Sequence, residues 1–512
     1  MTAEDQSEIV AFLSDPDSWG EGVTDVERVD THGAMVFLGG DRALKLKRAV
    51  KFDYMDFSTP ARRKAMCEEE LRLNRRTAPG LYRRVVPVTR RADGGLELGG
   101  DGEAVDWLVE MTRFDQDTLF DRLARRDALT PALMTALADE IAAFHTAAEP
   151  RQDYGGGDDM ANVVEIDRAQ LERYAGTVFD AADVEALSRR SRAAVRRHRR
   201  LIEARRRNGK VRHCHGDLHL RNICLVDGRP TLFDAIEFNE MFAVSDVLYD
   251  LAFLIMDLLH RRLDGLANLV FNRYLARTGD IEGLALMPLF LATRAAVRAH
   301  VCATMADDRP AAEAAGLRAE ARGYLDQALA YLRPAAARLV AIGGLSGSGK
   351  STLAQALAPT IGAAPGALVL RSDVIRKIIA GMAPEERLGP EHYRPTMNRR
   401  VYARISEWAA VALAAGHAVI ADAVFAHESE RDGIEGVAAA AAVPFTGIWL
   451  EGDEEILARR LEARRGDASD ATVEVLHRQL DYELGRVGWQ RLECGARASD
   501  LAARAARLVA EG

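Results

Sequence analysis

Apolar and polar positions change their rhythm several times along the chain. Ala34-Met-Val-Phe-Leu38 and Ala43-Leu-Lys-Leu-Lys47 are short strand-like runs flanking Gly39-Gly-Asp41, and they predict a hairpin. Thr59 to Ala78 has helical spacing, with Leu71 and Leu73 on an otherwise charged surface. Strands are expected around Val85 to Val88 and Trp107 to Glu110. Leu119 to Ala148 and Asp167 to Arg207 read as helical. Near His213 the rhythm shortens again: Asn222 to Val226 and Thr231 to Phe233 are strand-like and joined by the turn dipeptide Asp227-Gly228. Helical segments then continue to Leu332. Pro334 and Ala335-Ala-Ala337 mark a joint, and from Leu339-Val-Ala-Ile342 onward strands and helices alternate, the pattern of a parallel α/β sheet. Two domains are expected, 1–333 (α+β) and 334–512 (α/β).

Length agrees with that division, because 512 residues exceed what one ordinary core organises. A net charge of −9 offers no global attraction to nucleic acid or an anionic membrane, so neither is expected as a partner. The five cysteines (Cys67, Cys214, Cys224, Cys302, Cys494) are odd in number and form no CxxC pair. That favours reduced thiols and a cytoplasmic protein over a disulfide framework or a zinc site. The acidic N-terminus lacks the order of a secretory signal. Charges interrupt the apolar runs, Asp257 within Leu251–Leu259 and Arg294 and Arg298 within Leu284–Ala303, so no membrane span is expected. The ten arginines between Arg189 and Arg207 read as a solvated helix face with their stems over the core.

The strongest local signal is Gly344-Leu-Ser-Gly-Ser-Gly349-Lys350-Ser351, which fits GxxxxGK[ST] between a strand and an Ala/Leu-rich helix. In such a loop the backbone of Gly344, Ser346, Gly347, Ser348 and Gly349 surrounds phosphate oxygens, and Thr352 continues the binding turn. Lys350 reaches the β/γ-phosphates and Ser351 holds Mg2+. The strand Ala367-Leu-Val-Leu370 ends in Arg371-Ser-Asp373-Val-Ile-Arg376, which puts a carboxylate and a guanidinium on the acceptor side. Ala418-Val-Ile-Ala421 ends in Asp422, a Walker-B-like position for Mg2+. Arg460 and Arg464 stand at i, i+4 and suit a helical lid over the triphosphate. With these pieces, 338–495 resembles the P-loop kinase-like family that includes zeta toxins and gluconate-kinase-like proteins. The resemblance makes Asp373 the candidate base or acceptor-positioning residue and Arg376 a substrate contact.

A second constellation is His215-Gly-Asp217-Leu-His-Leu-Arg-Asn222, followed by Asp234 in Leu232-Phe-Asp-Ala. Asp217 can accept a hydroxyl proton or orient the nucleophile, and Asn222 and Asp234 offer the oxygen ligands Mg2+ prefers. The pattern resembles the aminoglycoside phosphotransferase and choline kinase branch of the protein-kinase-like fold. That resemblance implies a bilobal domain, with an N-lobe about 1–110 and a C-lobe about 111–333. It makes Lys45 the strand lysine for the α/β-phosphates, with Lys47 on the same face as an alternative. Glu70 becomes the helix glutamate that pairs with it, with Glu69 as runner-up. Thr31-His-Gly33 stands where a nucleotide-covering loop belongs, and Glu110 and Met111 resemble the hinge that accepts adenine. Asp246 and Asp250 resemble structural acids of that family and equally suit helix capping. His145 reads as an ordinary helical residue.

Together the halves resemble bacterial fusions of an aminoglycoside phosphotransferase-like domain with an ATP-binding domain. The implied activity is phosphoryl transfer from ATP, with Mg2+, to hydroxyls of small molecules such as sugars, aminoglycosides or amino alcohols, at two sites. The alternative is a nucleotide-sensing regulator, or a zeta-toxin-like protein, in which one site gates the other. Oligomeric state is not legible in the sequence.

Overall fold

A computed structural model describes residues 5–31, 33–52, 55–463, 468–495 and 497–511. The chain divides into two compact units: 1–159 with 202–254, and 160–201 with 255–512.

The first unit carries a six-stranded antiparallel sheet of β1 (Val26–Asp30), β2 (Ala34–Gly39), β3 (Arg42–Lys47), β4 (Tyr82–Arg90), β5 (Leu96–Leu98) and β6 (Glu103–Thr112), in the order β1-β2-β3-β6-β4-β5. The hairpin between β2 and β3 turns where expected, with Gly40 at φ +55°, a conformation glycine adopts without steric cost. One side of this sheet buries Phe37, Leu44, Leu46, Val88 and Leu108. Between β3 and β4 lies helix α1 (Pro60–Asn74), shorter than the predicted 59–78. Thr59 caps it by accepting from the Arg62 N–H, and Pro60 fits its first turn, where no amide donor is needed. Glu70, Leu73 and Asn74 form its buried face. Further on, β7 (Ile223–Val226) and β8 (Arg229–Leu232) form the second predicted hairpin, turning at Asp227 and Gly228, both at positive φ.

In the second unit, helix α2 (Asp264–Thr278) precedes a five-stranded, wholly parallel sheet. Its strands are β9 (Leu339–Gly344), β10 (Leu368–Arg371), β11 (Val419–Asp422), β12 (Phe445–Glu451) and β13 (Gln490–Glu493), in the order β10-β11-β9-β12-β13. The parallel sheet was expected; its fifth strand was not, because Gln490-Arg-Leu-Glu493 buries only Leu492 and has no apolar run. Val340, Ile342, Ile420 and Ile448 pack under α3 (Lys350–Leu357) to make the core. Helix α4 (Ser372–Ala380) follows β10, and α5 (Glu454–Ala463) follows β12.

Two expectations need correction. The run Glu282–Met305 is long and apolar enough to cross a membrane by length and composition, although 67% of its most apolar window is buried as in a core helix. The arginine-rich stretch is not uniformly solvated: Arg205 is 3% exposed and forms a two-pronged ion pair with Asp246, at 2.6 and 2.8 Å. All five cysteines are buried and none forms a disulfide.

Candidate active sites

The β-strand alternation that puts Lys45 and Lys47 on one face of β3 delivers both ammonium groups to α1. Glu70 receives them on separate oxygens, Lys45 at 2.7 Å on Oε1 and Lys47 at 2.6 Å on Oε2. Lys45 also reaches Asp234 at 2.5 Å, and Lys47 donates to Glu237. Glu69 instead pairs with Arg72 on the surface side of the helix. Burial works against the Lys45 charge, but Asp234 and Glu70 outweigh it and hold its pKa well above the usual lysine value. Burial likewise opposes ionisation of Glu70, yet the two lysines bring it down to about 2. Two cations face three carboxylates here. The surplus falls on Glu237, whose pKa burial raises against the pull of Lys47.

Asp217 and Asn222 come together as the spacing suggested: Asn222 Nδ2 donates to Asp217 Oδ2 at 2.8 Å and to its carbonyl at 3.0 Å. The loop before them is held from below by Asp250, which is fully buried. Its Oδ2 accepts from the His215 N–H and its Oδ1 from the Gly216 N–H, and His145 Nε2 stands 3.1 Å from Oδ2. His145, Asp250 and Cys214 lie within 4.8 Å of one another, a spacing that could hold a metal. The Asp250 oxygens are already engaged with backbone donors, which gives the group a loop-holding role. His145 is thus a buried partner of the acid that holds the His215–Gly216 loop. Gly216 is at φ +85° with the Phe242 carbonyl 3.0 Å from where a Cβ would stand, so the loop admits no side chain there.

Asp234 also has positive φ, +63°, and its N–H donates to the Tyr82 hydroxyl at 3.1 Å, while the next amide, Ala235, donates to Asn74 Oδ1 at 2.8 Å. Glu110 and Met111 stand inside β6, in register with Leu44 and Ala43 on one side and Arg84 and Tyr82 on the other. Their backbone therefore belongs to the sheet, and the first residues past the strand are Arg113 and Phe114. The Glu110 carboxylate accepts from Arg84 at 2.8 Å. Of Thr31-His-Gly33, His32 lies outside the described residues. Tyr82, Asn74 and Glu237 were missed in the sequence. Glu237 had a signal: two lysines on one strand face need more than one carboxylate in a buried setting.

In the second unit, β9 runs into the glycine loop and α3 leaves it. Gly344 and Gly347 have φ of +141° and +86°, and a Cβ on them would stand 2.6 Å from the Leu450 carbonyl oxygen and 2.5 Å from that of Leu457. Only glycine lets the loop close so tightly. Gly349, at φ +90°, begins α3. Lys350 Nζ donates to the Gly344 and Leu345 carbonyls at 2.8 and 3.0 Å. Ser346 N–H donates to Gln479 Oε1 at 2.8 Å, and Ser348 Oγ is buried without a partner. An anion-accepting cradle with an unsatisfied buried hydroxyl fits a nucleotide phosphate.

Ser351 Oγ donates to Asp422 Oδ2 at 2.6 Å, and Arg371 Nε stands 3.4 Å from that same oxygen. Burial raises the Asp422 pKa, opposed by Arg371 and Lys350. A hydroxyl beside a buried carboxylate is a donor set that fits Mg2+. Thr352, Asp373, Arg376 and Arg460 line the same cavity, about 970 Å³ in volume. Asp373 stands in the first turn of α4, on the wall of that cavity. Arg376 Nη1 donates to the His392 carbonyl at 3.0 Å and to Asn398 Oδ1 at 2.8 Å, and its guanidinium lies over the Tyr393 ring. Arg460 donates to the Cys494 carbonyl at 2.6 Å and, weakly, to that of Ser348 at 3.5 Å, which ties α5 to the loop. Arg464 lies outside the described residues. Asp470 was not assigned a role, yet it accepts from the Tyr393 hydroxyl at 2.7 Å and from the Leu388 N–H at 3.1 Å.

Comparison with known proteins gives two family matches: the phosphotransferase enzyme family over residues 33–287, and an AAA domain over 339–483. An uncharacterized protein of Mycobacterium tuberculosis is 30% identical over 478 residues, 90% of this chain and 92% of its own length. A Mycobacterium bovis protein matches over the same extent. Among solved structures, a choline/ethanolamine kinase family protein from Mesorhizobium loti is 14% identical, with a TM-score of 0.39, covering 64% of this chain and 99% of its own. A gluconokinase from Sinorhizobium meliloti is 23% identical, with a TM-score of 0.25, covering 35% of this chain and 93% of its own.

Proposed function

The chain belongs to the same family as these mycobacterial proteins, a fusion of a phosphotransferase enzyme family domain with a P-loop kinase-like domain, and from that premise we propose that both domains are active ATP-dependent kinases. The acceptors are hydroxyls of small molecules. One observation supports the reading: each site brings together a lysine and carboxylate or hydroxyl groups of the kind phosphoryl transfer uses. In the first, Lys45 with Glu70 receives the α/β-phosphates, Asp234 and Asn222 hold Mg2+, and Asp217 takes the hydroxyl proton or orients the attacking oxygen. In the second, the glycine loop and Lys350 receive the triphosphate, and Ser351 with Asp422 holds Mg2+. Asp373 acts there as base or acceptor-positioning group and Arg376 contacts the acceptor. Bound Mg2+ supplies charge stabilisation for the transferring phosphoryl group. Adenine of the first site is read by backbone groups past the end of β6, beyond Glu110 and Met111, whose own backbone is paired in the sheet. Five buried thiols support a cytoplasmic setting.

The test is an acceptor screen: Mg-ATP with pooled sugars, aminoglycosides, amino alcohols and nucleosides, using wild type, Asp217→Ala and Lys350→Ala, read by mass spectrometry. A phosphorylated product lost in only one variant assigns that acceptor to one site. Binding of ATP at both sites with no product from any pool would overturn the kinase reading in favour of a nucleotide-sensing protein.

A further inference from the structure

Strand β10 is the edge of the parallel sheet, and it leads directly into Arg371, Ser372 and Asp373. Its inner side is bonded to the next strand: the Leu368 N–H donates to the Ala418 carbonyl at 2.9 Å, and β10 runs in register with β11. Strand geometry then turns the intervening groups, the Ala367 carbonyl and the Val369 N–H, to the open side. An edge strand normally leaves such groups to water, where they fray or recruit another strand.

Here they are met by two asparagines one turn apart on α2. Asn272 Oδ1 accepts from the Val369 N–H at 2.7 Å, and Asn272 Nδ2 donates to the Ala367 carbonyl at 3.2 Å. Its carboxamide thus offers one acceptor and one donor in the spacing that a neighbouring peptide unit would present. Asn268, 4% exposed, donates to the Ala367 and Pro365 carbonyls, both at 3.1 Å. The two side chains also bond each other, Asn272 Nδ2 to Asn268 Oδ1 at 3.0 Å, which fixes their rotamers. A third tie follows on the same helix: Arg273 pairs with Glu385 at 2.8 Å, just beyond α4. An apolar side chain at 268 or 272 could fill the space but would leave a buried amide and a buried carbonyl unmet.

We infer that Asn272, backed by Asn268, is a positioning residue of the P-loop site, standing in for a sixth strand and fixing the backbone that carries Arg371 and Asp373 to the acceptor. The inference rests on the kinase reading of that site. Both asparagines belong to the span that matches the phosphotransferase enzyme family, 33–287, whereas the strand they hold belongs to the span that matches the AAA domain, 339–483. Acceptor geometry in the second site is therefore set by residues that its own family segment does not contain. Asparagine is needed for its two-sided hydrogen bonding, so leucine and alanine at 272 are equivalent losses, while aspartate keeps the acceptor for Val369.

The experiment uses the full-length chain carrying Asp217→Ala, so that the remaining turnover of Mg-ATP reports the P-loop site. Asn272→Ala, Asn272→Asp and Asn268→Ala are added singly. Hydrogen exchange is followed on peptides covering 367–376, and nucleotide bound per chain is measured in parallel. Asn272→Ala is expected to bind as much nucleotide as its parent, with unchanged KM for Mg-ATP, while kcat falls on the order of tenfold or more. Exchange at Val369 should accelerate by a similar factor, and Asn272→Asp should recover that protection. If Asn272→Ala does not fold, Asn268→Ala is read in the same way. Unchanged exchange at Val369, or lost protection with full kcat, would overturn the inference. If the parent has no turnover that Lys350→Ala abolishes, the kinase reading of the site fails; exchange then decides alone whether the asparagines fix the strand.

Discussion

Lys47 donates to Glu237 where neither side chain is more than 7% exposed, and the same ammonium also holds Glu70. A buried ion pair gives little net stability when desolvation is counted, but breaking it from one side is costly. The charge count decides which side matters. With Lys45, Lys47, Glu70, Asp234 and Glu237 clustered, negative charge is in excess, so the lysines are the scarce members.

Lys47→Met should therefore destabilise the first unit by about 3–5 kcal/mol, since it leaves three carboxylates facing one lysine. Glu237→Gln keeps a hydrogen-bond acceptor for Lys47 and removes the surplus charge, so its stability should stay within about 1 kcal/mol of wild type. Urea unfolding of the two variants distinguishes them. Equal losses would contradict the charge count.

Gly347→Ala should disable nucleotide binding in the second unit without unfolding it. The added Cβ would stand 2.5 Å from the Leu457 carbonyl at a backbone φ of +86°. Either the loop opens or α5 retreats, and both spoil the cradle. In a Lys45→Ala background, titration with a fluorescent ATP analogue should show affinity lower by roughly tenfold or more.

Asp422→Asn should raise the Mg2+ concentration needed for half-maximal turnover at the P-loop site by about 10–100-fold. The amide still accepts the Ser351 hydroxyl but lacks the charge that attracts the cation. Turnover against Mg2+ in an Asp217→Ala background measures the shift, and saturating Mg2+ should restore part of the rate.

Acid should weaken the fold through two histidines. Burial lowers His213 and His417 to about 4, from an ordinary value near 6.5. Below 6.5 the unfolded chain takes up protons that the folded chain refuses, so stability declines as pH falls from about 6.5 to 4. The slope is at most about 1.4 kcal/mol per pH unit for each histidine. His417 is the more deeply buried, and its Nε2 stands 3.1 Å from the Leu284 carbonyl. Thermal unfolding at pH 7 and pH 5 of wild type and His417→Gln checks this: the variant should lose less on acidification.

What could be read in advance followed from local chemistry. The glycine loop, Lys350 and Ser351 are contiguous, and a glycine at positive φ beside a helix start leaves its mark in four or five letters. Asp217 and Asn222 were equally accessible, five residues apart in one turn. Groups joined across long separations were harder. Glu237 meets Lys47 from 190 residues away, and Asn272 meets Val369 from 97 away. Neither lies in a motif: two lysines on one strand face ask for a second carboxylate without saying which, and only the tertiary fold picks out Glu237 and Asn272. The fifth strand was hidden for the converse reason, since an exposed edge with one buried leucine does not need an apolar pattern.

The burial of all five thiols turns the chain into its own probe of local opening. Burial pushes Cys67 and Cys224 up to about 12 and Cys214 well above the ordinary thiol value. No thiolate is presented to reagent until the structure around it parts. Cys67, Cys214 and Cys224 belong to the first unit, and Cys302 and Cys494 to the second. Timed alkylation with peptide mapping would therefore clock each unit separately, with no label added. Nucleotide bound in one unit would then be visible as a slowing confined to that unit's cysteines, or as one transmitted to the other's.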